Sequence, residues 1–202
     1  MNNAMYIPEA LKQLDYHLFS KLNGEWHTAF LDKLVPFIRE SYLWIPFYFF
    51  LIIFTTVNFK MKGWLWVLFF LINVIVSDFV SSDLIKENFI RARPCHDPLL
   101  AGSIRFLVSY CPSSSSFTSS HAVNHFAAAM YIFTTFRKAL SNYWALLFLW
   151  AFFISYAQVY VGVHFPLDVF CGAIVGIILG YITGKIYENK IGLNAPDLKK
   201  FV

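Results

Sequence analysis

The stretch Ser41–Phe59, SYLWIPFYFFLIIFTTVNF, is the clearest indication of the fold class, because its 19 residues include no charged side chain. An α-helix rises about 1.5 Å per residue, so about 20 apolar residues cross the roughly 30 Å hydrocarbon core of a bilayer. The run is continuously apolar, whereas a strand of a membrane β-barrel alternates apolar and polar residues. The stretch therefore predicts a transmembrane helix.

Four later segments have the same apolar character and are about 18–25 residues long, which is sufficient for a membrane span. They are Trp64–Lys86, Ser119–Phe136, Tyr143–His164 and Pro166–Ile186. We therefore predict an all-α fold, a polytopic membrane helical bundle of five to six spans. The sixth span would have to come from residues 26–40, where four charged side chains argue against it: Asp32, Lys33, Arg39 and Glu40.

The composition excludes several classes of protein. Hydrophobic residues make up 58% of the chain and charged residues 14%, against about 25% charged residues in soluble domains. A chain of 202 residues cannot bury that much apolar surface, which excludes a soluble monomer. The net charge of +4 forms no clustered basic stripe, so we expect no nucleic-acid partner. The length corresponds to one domain, residues 1–202.

The first 40 residues differ from the rest because their apolar residues alternate with charges. Leucines repeat at helical spacing, and Gly24 after them is a typical helix stop. We predict that residues 1–40 form amphipathic interfacial helices on the membrane surface and that residues 41–190 form the bundle. The repeating leucines are Leu11, Leu14, Leu18 and Leu22.

The distribution of Lys and Arg predicts the orientation in the membrane. Short basic segments follow the first, third and fifth spans, at residues 60–62, 137–138 and 185–200. By the positive-inside rule these segments lie in the cytoplasm. The long loop 86–118 and the turn 164–168 then face outward. We predict a multi-pass protein of the cytoplasmic (inner) membrane whose functional face points to the periplasm.

Three segments with reactive side chains lie on this outward face. They are KENFIRARP at 86–94, FTSSH at 117–121 and AQVYVGVHFPLD at 157–168. Each alone has a structural explanation: a basic helix end, a Ser-rich helix cap, and a helix that begins with Pro and has an acidic first turn. Together, in this order and on one face, they indicate a functional site.

In these segments the chain resembles the type-2 phosphatidic acid phosphatase family, the lipid phosphate phosphatases. The first motif of that family is Lys, six residues, then Arg-Pro, and Lys86, Arg93 and Pro94 match it in full. The resemblance covers residues 86–168 and the order of the helices around them.

The second family motif is Pro-Ser-Gly-His. Ser119 and His121 match it, while Thr118 and Ser120 stand where the motif has Pro and Gly. Ser is favourable at a helix N-terminus, although its side chain could crowd a phosphate that Gly would admit.

The third family motif is Ser-Arg, five residues, His, three residues, Asp. His164 and Asp168 match it, while Ala157 and Gln158 replace Ser and Arg. Gln is neutral and cannot form the bidentate ionic pair of Arg with phosphate. Loss of one preorganised donor typically slows an enzyme by about 10²–10³-fold, so we expect this chain to be impaired. A natural divergence and an introduced substitution would both explain Gln158.

The resemblance implies metal-independent dephosphorylation of a lipid phosphate or diphosphate at the outer leaflet. His164 would attack phosphorus to form a phosphohistidine, and Asp168 would hold the other imidazole nitrogen. His121 would protonate the leaving oxygen and then activate water. The implied phosphate-binding residues are Lys86, Arg93, Ser119, Ser120 and Gln158.

No metal and no cofactor are expected. The family suggests four candidate substrates: undecaprenyl diphosphate, phosphatidylglycerol phosphate, phosphatidic acid and a lipid A phosphate. The alternative, which Gln158 favours, is a non-catalytic protein that binds or transports a lipid phosphate. In both cases the partners are a lipid phosphate and the membrane lipid.

Three other features leave alternatives open. Cys95 and Cys111 form either a disulfide or two free thiols. The run Ser113–Ser116 is predicted to be a flexible loop. A row of glycines in the last span permits close packing, either within the bundle or between two copies of the chain. These glycines are Gly172, Gly176, Gly180 and Gly184.

Overall fold

The computed structural model of the protein describes residues 6–140 and 142–193. In chain order its α-helices are α1 (Glu9–Phe19), α2 (Ala29–Ile38), α3 (Ile45–Phe59), α4 (Met61–Phe79), α5 (Lys86–Asn88), α6 (Ser120–Phe136), α7 (Leu147–Tyr160) and α8 (Pro166–Lys190). These ranges contain no β-strand. The prediction of an all-α fold is therefore confirmed.

Four helical segments of the described chain are long and apolar enough to cross a membrane: Ser41–Phe59, Met61–Asn88, Asn142–Tyr160 and Pro166–Lys190. They correspond to four of the five predicted spans. The fifth corresponds to α6, which has 17 residues and falls short of the others in length. The ten residues of α2 are too few for a sixth span, which would need about 20.

Protein surrounds helix α6 on most sides. Helices α4, α7 and α8 all pack against it, and most of its residues are buried. A helix enclosed in this way needs small side chains that allow close approach, and the run Ala127–Ala129 provides them. The length of an apolar run therefore identifies the outer helices of the bundle better than it identifies α6.

The four glycines of α8 lie against α6. A Cβ atom at Gly176 would be 2.3 Å from the Val123 carbonyl oxygen, and one at Gly180 would be 2.3 Å from that of Ala127. Any side chain at these positions would force the two helices apart. The glycine row thus sets the distance between the two helices that carry the second and third motifs.

An aromatic core holds the end of the bundle away from the motifs. The Trp66 Nε1–H group donates to Thr135 Oγ1 at 2.8 Å, and the Tyr131 hydroxyl donates to the Trp66 carbonyl at 3.0 Å. The Tyr187 hydroxyl donates to the Lys62 carbonyl at 2.8 Å. These contacts join α4, α6 and α8 and satisfy buried polar groups that would otherwise be costly.

Helix α1 packs over the opposite end and continues beyond the predicted stop. A π-helical turn, Ser20–Glu25, follows α1, so Gly24 lies inside the helical segment rather than after it. Leu11, Leu14 and Leu18 point outward, with Leu14 53% exposed, whereas Asp15 and Phe19 are buried against the bundle. Leu22 is partly buried and packs against the core that contains Phe19. Because Asp15 is buried on its inner face, α1 contributes a carboxylate to the bundle as well as an apolar surface.

A disulfide joins Cys95 and Cys111 in the loop 86–118, with their Cα atoms 6.1 Å apart. It closes a loop with a sequence separation of 16 residues. In the chain-entropy model a loop of this length contributes about 3 kcal/mol to stability. Cys171 of α8 is a free thiol.

Candidate active site

The three motif segments meet at the end of the bundle where α1 packs. The N–H group of Ser119, just before α6, donates to the Asp168 carbonyl at 3.2 Å. Within the loop, the N–H group of Ser116 donates to the Arg91 carbonyl at 2.9 Å. These backbone contacts hold the start of α6, the start of α8 and the loop together.

His164 lies in a tight turn between α7 and α8. The backbone N–H groups of Val163 and His164 both donate to the Gln158 carbonyl, at 3.0 and 3.1 Å. Gly162 has φ +85°, and a Cβ atom there would be 2.9 Å from the Arg105 carbonyl. Only glycine adopts this conformation without strain, so Gly162 fixes the direction in which the buried His164 side chain leaves the turn.

The guanidinium of Arg93 contacts the imidazole of His164. Arg93 Nη1 is 3.0 Å from His164 Nε2, and the Arg93 Nε–H group donates to the Ser114 carbonyl at 2.9 Å. A guanidinium can only donate, so Nε2 of His164 must accept and the ring proton of the neutral imidazole lies on Nδ1. The Nε2 lone pair therefore points to the cation that would bind a phosphate.

Asp168 and Ser116 lie on the other side of the His164 ring. Asp168 Oδ2 accepts from the Phe165 N–H group at 2.9 Å and from the Ser116 hydroxyl. His164 Nδ1 is 3.6 Å from Asp168 Oδ2, beyond hydrogen-bond length, and 3.4 Å from Ser116 Oγ. The Ser116 hydroxyl therefore connects the imidazole to the carboxylate that the motif predicts as its partner.

Arg91 joins Asp168 to the N-terminal helix. Its guanidinium donates to Asp168 Oδ1 and to Asp15 Oδ2, and its carbon centre lies 4.1 Å from the centroid of the Phe165 ring. Asp15 also accepts from the Leu167 N–H group at 2.8 Å. Burial opposes the charge of Arg91, but the two carboxylates raise its pKa above the ordinary value. Arg91 is therefore a fixed cation shared by two buried anions.

Lys86, the first residue of α5, lies close in space to the start of α6. Helix α4 continues through a π-helical turn, Val80–Ile85, into α5, and this extension brings Lys86 Nζ to 2.6 Å from Ser120 Oγ. The Ser81 hydroxyl also donates to Ser120 Oγ, at 2.8 Å. The Ser120 side chain thus binds Lys86 instead of standing free in the site.

Two predicted site residues and the residue before one of them have buried polar atoms without a hydrogen-bond partner in the described part of the chain. They are the hydroxyls of Thr118 and Ser119 and both side-chain atoms of Gln158. Buried polar groups in proteins are nearly always paired, so each of these needs an explanation. Binding of an oxyanion would supply acceptors for the two hydroxyls and the Gln158 amide.

His121 occupies the first turn of α6, and His125 follows one turn later. Their rings are nearly parallel, with centroids 6.2 Å apart, and His125 Nδ1 is 2.8 Å from the His121 carbonyl oxygen. His121 is close enough to His164 and Lys86 for direct electrostatic interaction. It therefore borders the site from the first turn of α6.

Burial lowers the pKa of His164 to about 4, with Arg93 and Lys86 adding to the effect and Asp168 opposing it. The imidazole is therefore neutral at pH 7, as a nucleophile requires.

A group of potential metal ligands in the described ranges consists of Cys95, His96 and Cys111. Both sulfur atoms belong to the disulfide, so this group does not offer thiolate ligands.

Sequence reasoning missed three contributors to the site: Ser116, Asp15 and the bridging role of Arg91. The prediction of a flexible Ser113–Ser116 loop was wrong, because Ser114 and Ser115 bind Arg93 and Ser116 is fully buried. An aspartate in an otherwise apolar helical row was the only signal for Asp15. The serine run carried no signal of its own.

Comparison with known proteins gives a consistent result. The model of the PAP2 superfamily matches residues 63–191, more than half of the chain. A lipid A 4'-phosphatase of Porphyromonas gingivalis is 30% identical over 189 residues, which cover 89% of this chain and 75% of the relative. An undecaprenyl-diphosphatase of Sulfolobus acidocaldarius is 30% identical over 181 residues, covering 88% and 77%.

Two solved structures are similar. The crystal structure of Aquifex aeolicus LpxE matches with a TM-score of 0.59 and 29% identity, over 85% of this chain and 95% of that one. The transmembrane PAP2-type phosphatidylglycerolphosphate phosphatase of Bacillus subtilis shares the fold, with a TM-score of 0.67 and 22% identity over 91% and 89%. With its long apolar helices and its three motif segments joined at one end, the chain is a multi-pass membrane protein and belongs to the PAP2 superfamily.

Proposed function

We propose that this chain, a lipid phosphatase of the PAP2 superfamily, hydrolyses a lipid phosphate or diphosphate through a phosphohistidine on His164. The observation that carries the proposal is the 3.0 Å contact between Arg93 Nη1 and His164 Nε2. It puts the Nε2 lone pair next to a fixed cation, so that a phosphoryl group bound by Arg93 would lie beside the nitrogen that attacks it.

In the proposed reaction His164 Nε2 attacks phosphorus, and the bond from phosphorus to the lipid oxygen breaks. His121 gives its proton to that oxygen. Water then attacks the phosphohistidine while His121 takes a proton from it, and the products are the dephosphorylated lipid and inorganic phosphate. Lys86 and Arg93 balance the charge on the equatorial oxygens, and no metal is needed.

Asp168 acts on the nucleophile through Ser116. The chain of contacts from His164 Nδ1 to the Ser116 hydroxyl and on to Asp168 keeps the ring proton away from Nε2. As positive charge develops on the imidazole during attack, the carboxylate stabilises it.

Gln158 is the residue that we expect to limit the rate of this reaction. Its buried amide has no partner in the described residues, and it offers one neutral donor where the family motif has a guanidinium. We expect turnover about 10²–10³-fold below that of a Gln158→Arg variant. The α6 N-terminus, with the Ser120 and His121 N–H groups, supplies part of the missing attraction.

An apolar cavity of about 330 Å³ supports a lipid substrate. It lies between α3, α4 and α6 and reaches from Trp66 and Phe70 to His125, one helical turn from His121. A chain inserted there would stay in the bilayer while its phosphate enters the site.

The proposed location is the cytoplasmic membrane, with the site facing the periplasm and α1 and α2 at the outer surface. The exposed leucines of α1 suit such an interfacial position. The substrates to test are undecaprenyl diphosphate, phosphatidylglycerol phosphate, phosphatidic acid and a lipid A phosphate.

The deciding experiment measures release of inorganic phosphate from these four lipids by the chain as given, by Gln158→Arg and by the Gln158→Arg, His164→Ala double variant. We expect the Arg form to be fastest, the given chain to be slower and the double variant to be inactive. Binding of lipid phosphate by all three without release from any would instead favour the second candidate, a binding or transport protein, which the neutral Gln158 suggests.

A further inference from the structure

A second, polar cavity lies beside His121. It has a volume of about 380 Å³ and lies between the C-terminal end of α2 and loop residues 107–110. Arg39, Tyr110 and His121 line it. Because His121 belongs both to this lining and to the candidate active site, the cavity adjoins the site at His121.

Arg39 carries a charge that nothing in the described chain neutralises by contact. Its Nε–H group is buried without a hydrogen-bond partner, and no carboxylate in residues 6–140 or 142–193 lies within ion-pair distance of its guanidinium. Glu40 also lines the cavity and attracts Arg39, but it does so from beyond that distance. Burial lowers the pKa of Arg39, yet a guanidinium stays charged in proteins. An unpaired, half-buried cation that faces a cavity is matched to an anionic ligand.

The cations of the site divide between the two histidines. Arg93 Nη1 lies 3.0 Å from His164 Nε2, whereas Arg39 and His121 line the same cavity. Arg39 also acts weakly on Arg93. This separation of the cations gives two neighbouring positions for an anion. The phosphoryl group under attack would bind at Arg93, and a second anionic group would bind at Arg39, beyond the oxygen that His121 protonates.

We propose that Arg39 forms a leaving-group subsite that binds the second phosphoryl group of a lipid diphosphate. The inference rests on the proposed function, because it uses His164 as nucleophile and His121 as the acid. His164 attacks the terminal phosphorus, and the bond from that phosphorus to the bridging oxygen breaks. The electron pair stays on this oxygen, His121 protonates it, and a lipid monophosphate departs with its charge against Arg39.

A monoester does not use this cation in the same way. When a lipid monophosphate is hydrolysed, the leaving group is a neutral alcohol and has no anionic oxygen for Arg39. The subsite therefore selects for substrates whose leaving group is itself a phosphate. A charge-assisted hydrogen bond of this kind corresponds to about 10- to 100-fold in binding or rate.

The test uses two substrates with the same tail, farnesyl diphosphate and farnesyl monophosphate, in detergent micelles. The variants are Arg39→Gln, Arg39→Lys and, as a matched control, Lys33→Gln, which removes an exposed charge from α2, the helix that ends just before Arg39. We expect Arg39→Gln to lower kcat/KM for the diphosphate at least about tenfold more than for the monophosphate. Arg39→Lys should keep part of the preference, and Lys33→Gln should keep all of it.

Equal losses on both substrates would overturn the proposal, because Arg39 would then serve the phosphoryl group under attack or the fold. Unchanged rates on both would overturn it as well. If neither the parent chain nor its Gln158→Arg form releases phosphate from the two farnesyl substrates or from the four lipids, the proposed function fails. The subsite is then decided separately, by comparing how far pyrophosphate and inorganic phosphate each raise the melting temperature. A preference for pyrophosphate that Arg39→Gln abolishes supports the subsite, and equal protection by the two anions rejects it.

Discussion

The guanidinium of Arg91 donates to the carboxylate of Asp168 in the first turn of α8. Its second terminal nitrogen binds Asp15 of α1, and both carboxylates are almost completely buried. The N-terminal helix, which lies outside the three motifs, is thereby anchored to the carboxylate behind His164. Disturbing α1 should therefore affect the chemistry at the other end of this connection.

Arg91→Gln should destabilise the protein and slow phosphohistidine formation. It leaves Asp15 and Asp168 without their shared cation, and removal of one partner from a buried ion pair costs about 3–5 kcal/mol. Arg91→Lys, which keeps the charge but loses the fork, should recover part of both properties. Thermal melts in detergent and rapid-quench labelling measure the two effects.

The control for this prediction is Glu9→Gln compared with Asp15→Asn. Both remove a carboxylate from α1, but Glu9 is exposed and Asp15 is buried against Arg91. Glu9→Gln should melt within about 0.5 kcal/mol of the parent. Identical melts for the two variants would show that the connection through Arg91 is unimportant.

Ser116→Ala should lower activity with a small loss of stability. The hydroxyl is buried between Asp168 and His164, and its removal leaves the buried Nδ1–H group of His164 without an acceptor, at a cost of about 1–3 kcal/mol. Single-turnover labelling should show slower attack by a less well oriented His164. Ser113→Ala, at an exposed position of the same run, is the matched control. Equal rates for the two variants would contradict the proposed connection.

His164 should titrate well below an ordinary histidine. Burial lowers its pKa to about 4, against about 6.5 for a free imidazole. Histidine-labelled NMR in detergent should show this ring neutral from pH 8 to pH 6, with the resonance assigned by its loss in His164→Ala. A midpoint at 6.5 or higher would refute the prediction.

The same shift affects stability with a definite sign. Between pH 6.5 and about 4 the unfolded state binds a proton at His164 that the folded state does not. The contribution of this residue to stability is therefore complete above pH 6.5 and is lost as the pH falls towards 4. Melting temperatures of the parent should decline over this range more steeply than those of His164→Ala.

Reduction of the disulfide between Cys95 and Cys111 should lower the melting temperature. Its loss releases the loop between Cys95 and Cys111 and corresponds to about 3 kcal/mol in the chain-entropy model. Cys95→Ser should melt at the lower temperature with or without reductant, and Cys171→Ser should remain sensitive to it. Three alkylatable thiols in the non-reduced protein would contradict the bond.

Much of the fold was predictable because membrane insertion imposes simple rules. Runs of apolar residues near Phe50, Phe69 and Ile178 have the length that a bilayer demands, and these positions lie in three of the long helices. The exception is α6, whose surroundings are protein. Its alanines and polar residues reflect helix packing, which a count of apolar residues does not detect.

The motif residues were predictable because their chemistry and spacing are local. Lys86, Arg93, His164 and Asp168 lie at the same end of the bundle, as the order of the spans requires. The contribution of Asp15 was not predictable, because its partner, the Leu167 N–H group, lies 152 residues further along the chain. No local pattern specifies a partner at that distance.

The order of apolar runs, loop charges and motifs was thus sufficient to predict a helical membrane protein with its reactive groups on one face. Folding in three dimensions added the groups that surround them, including Ser116, Arg91 and Arg39. Their roles arise from burial and from charge brought close by packing. An ordinary serine or arginine acquires such a role only when the folded chain removes water and leaves it one partner, or none.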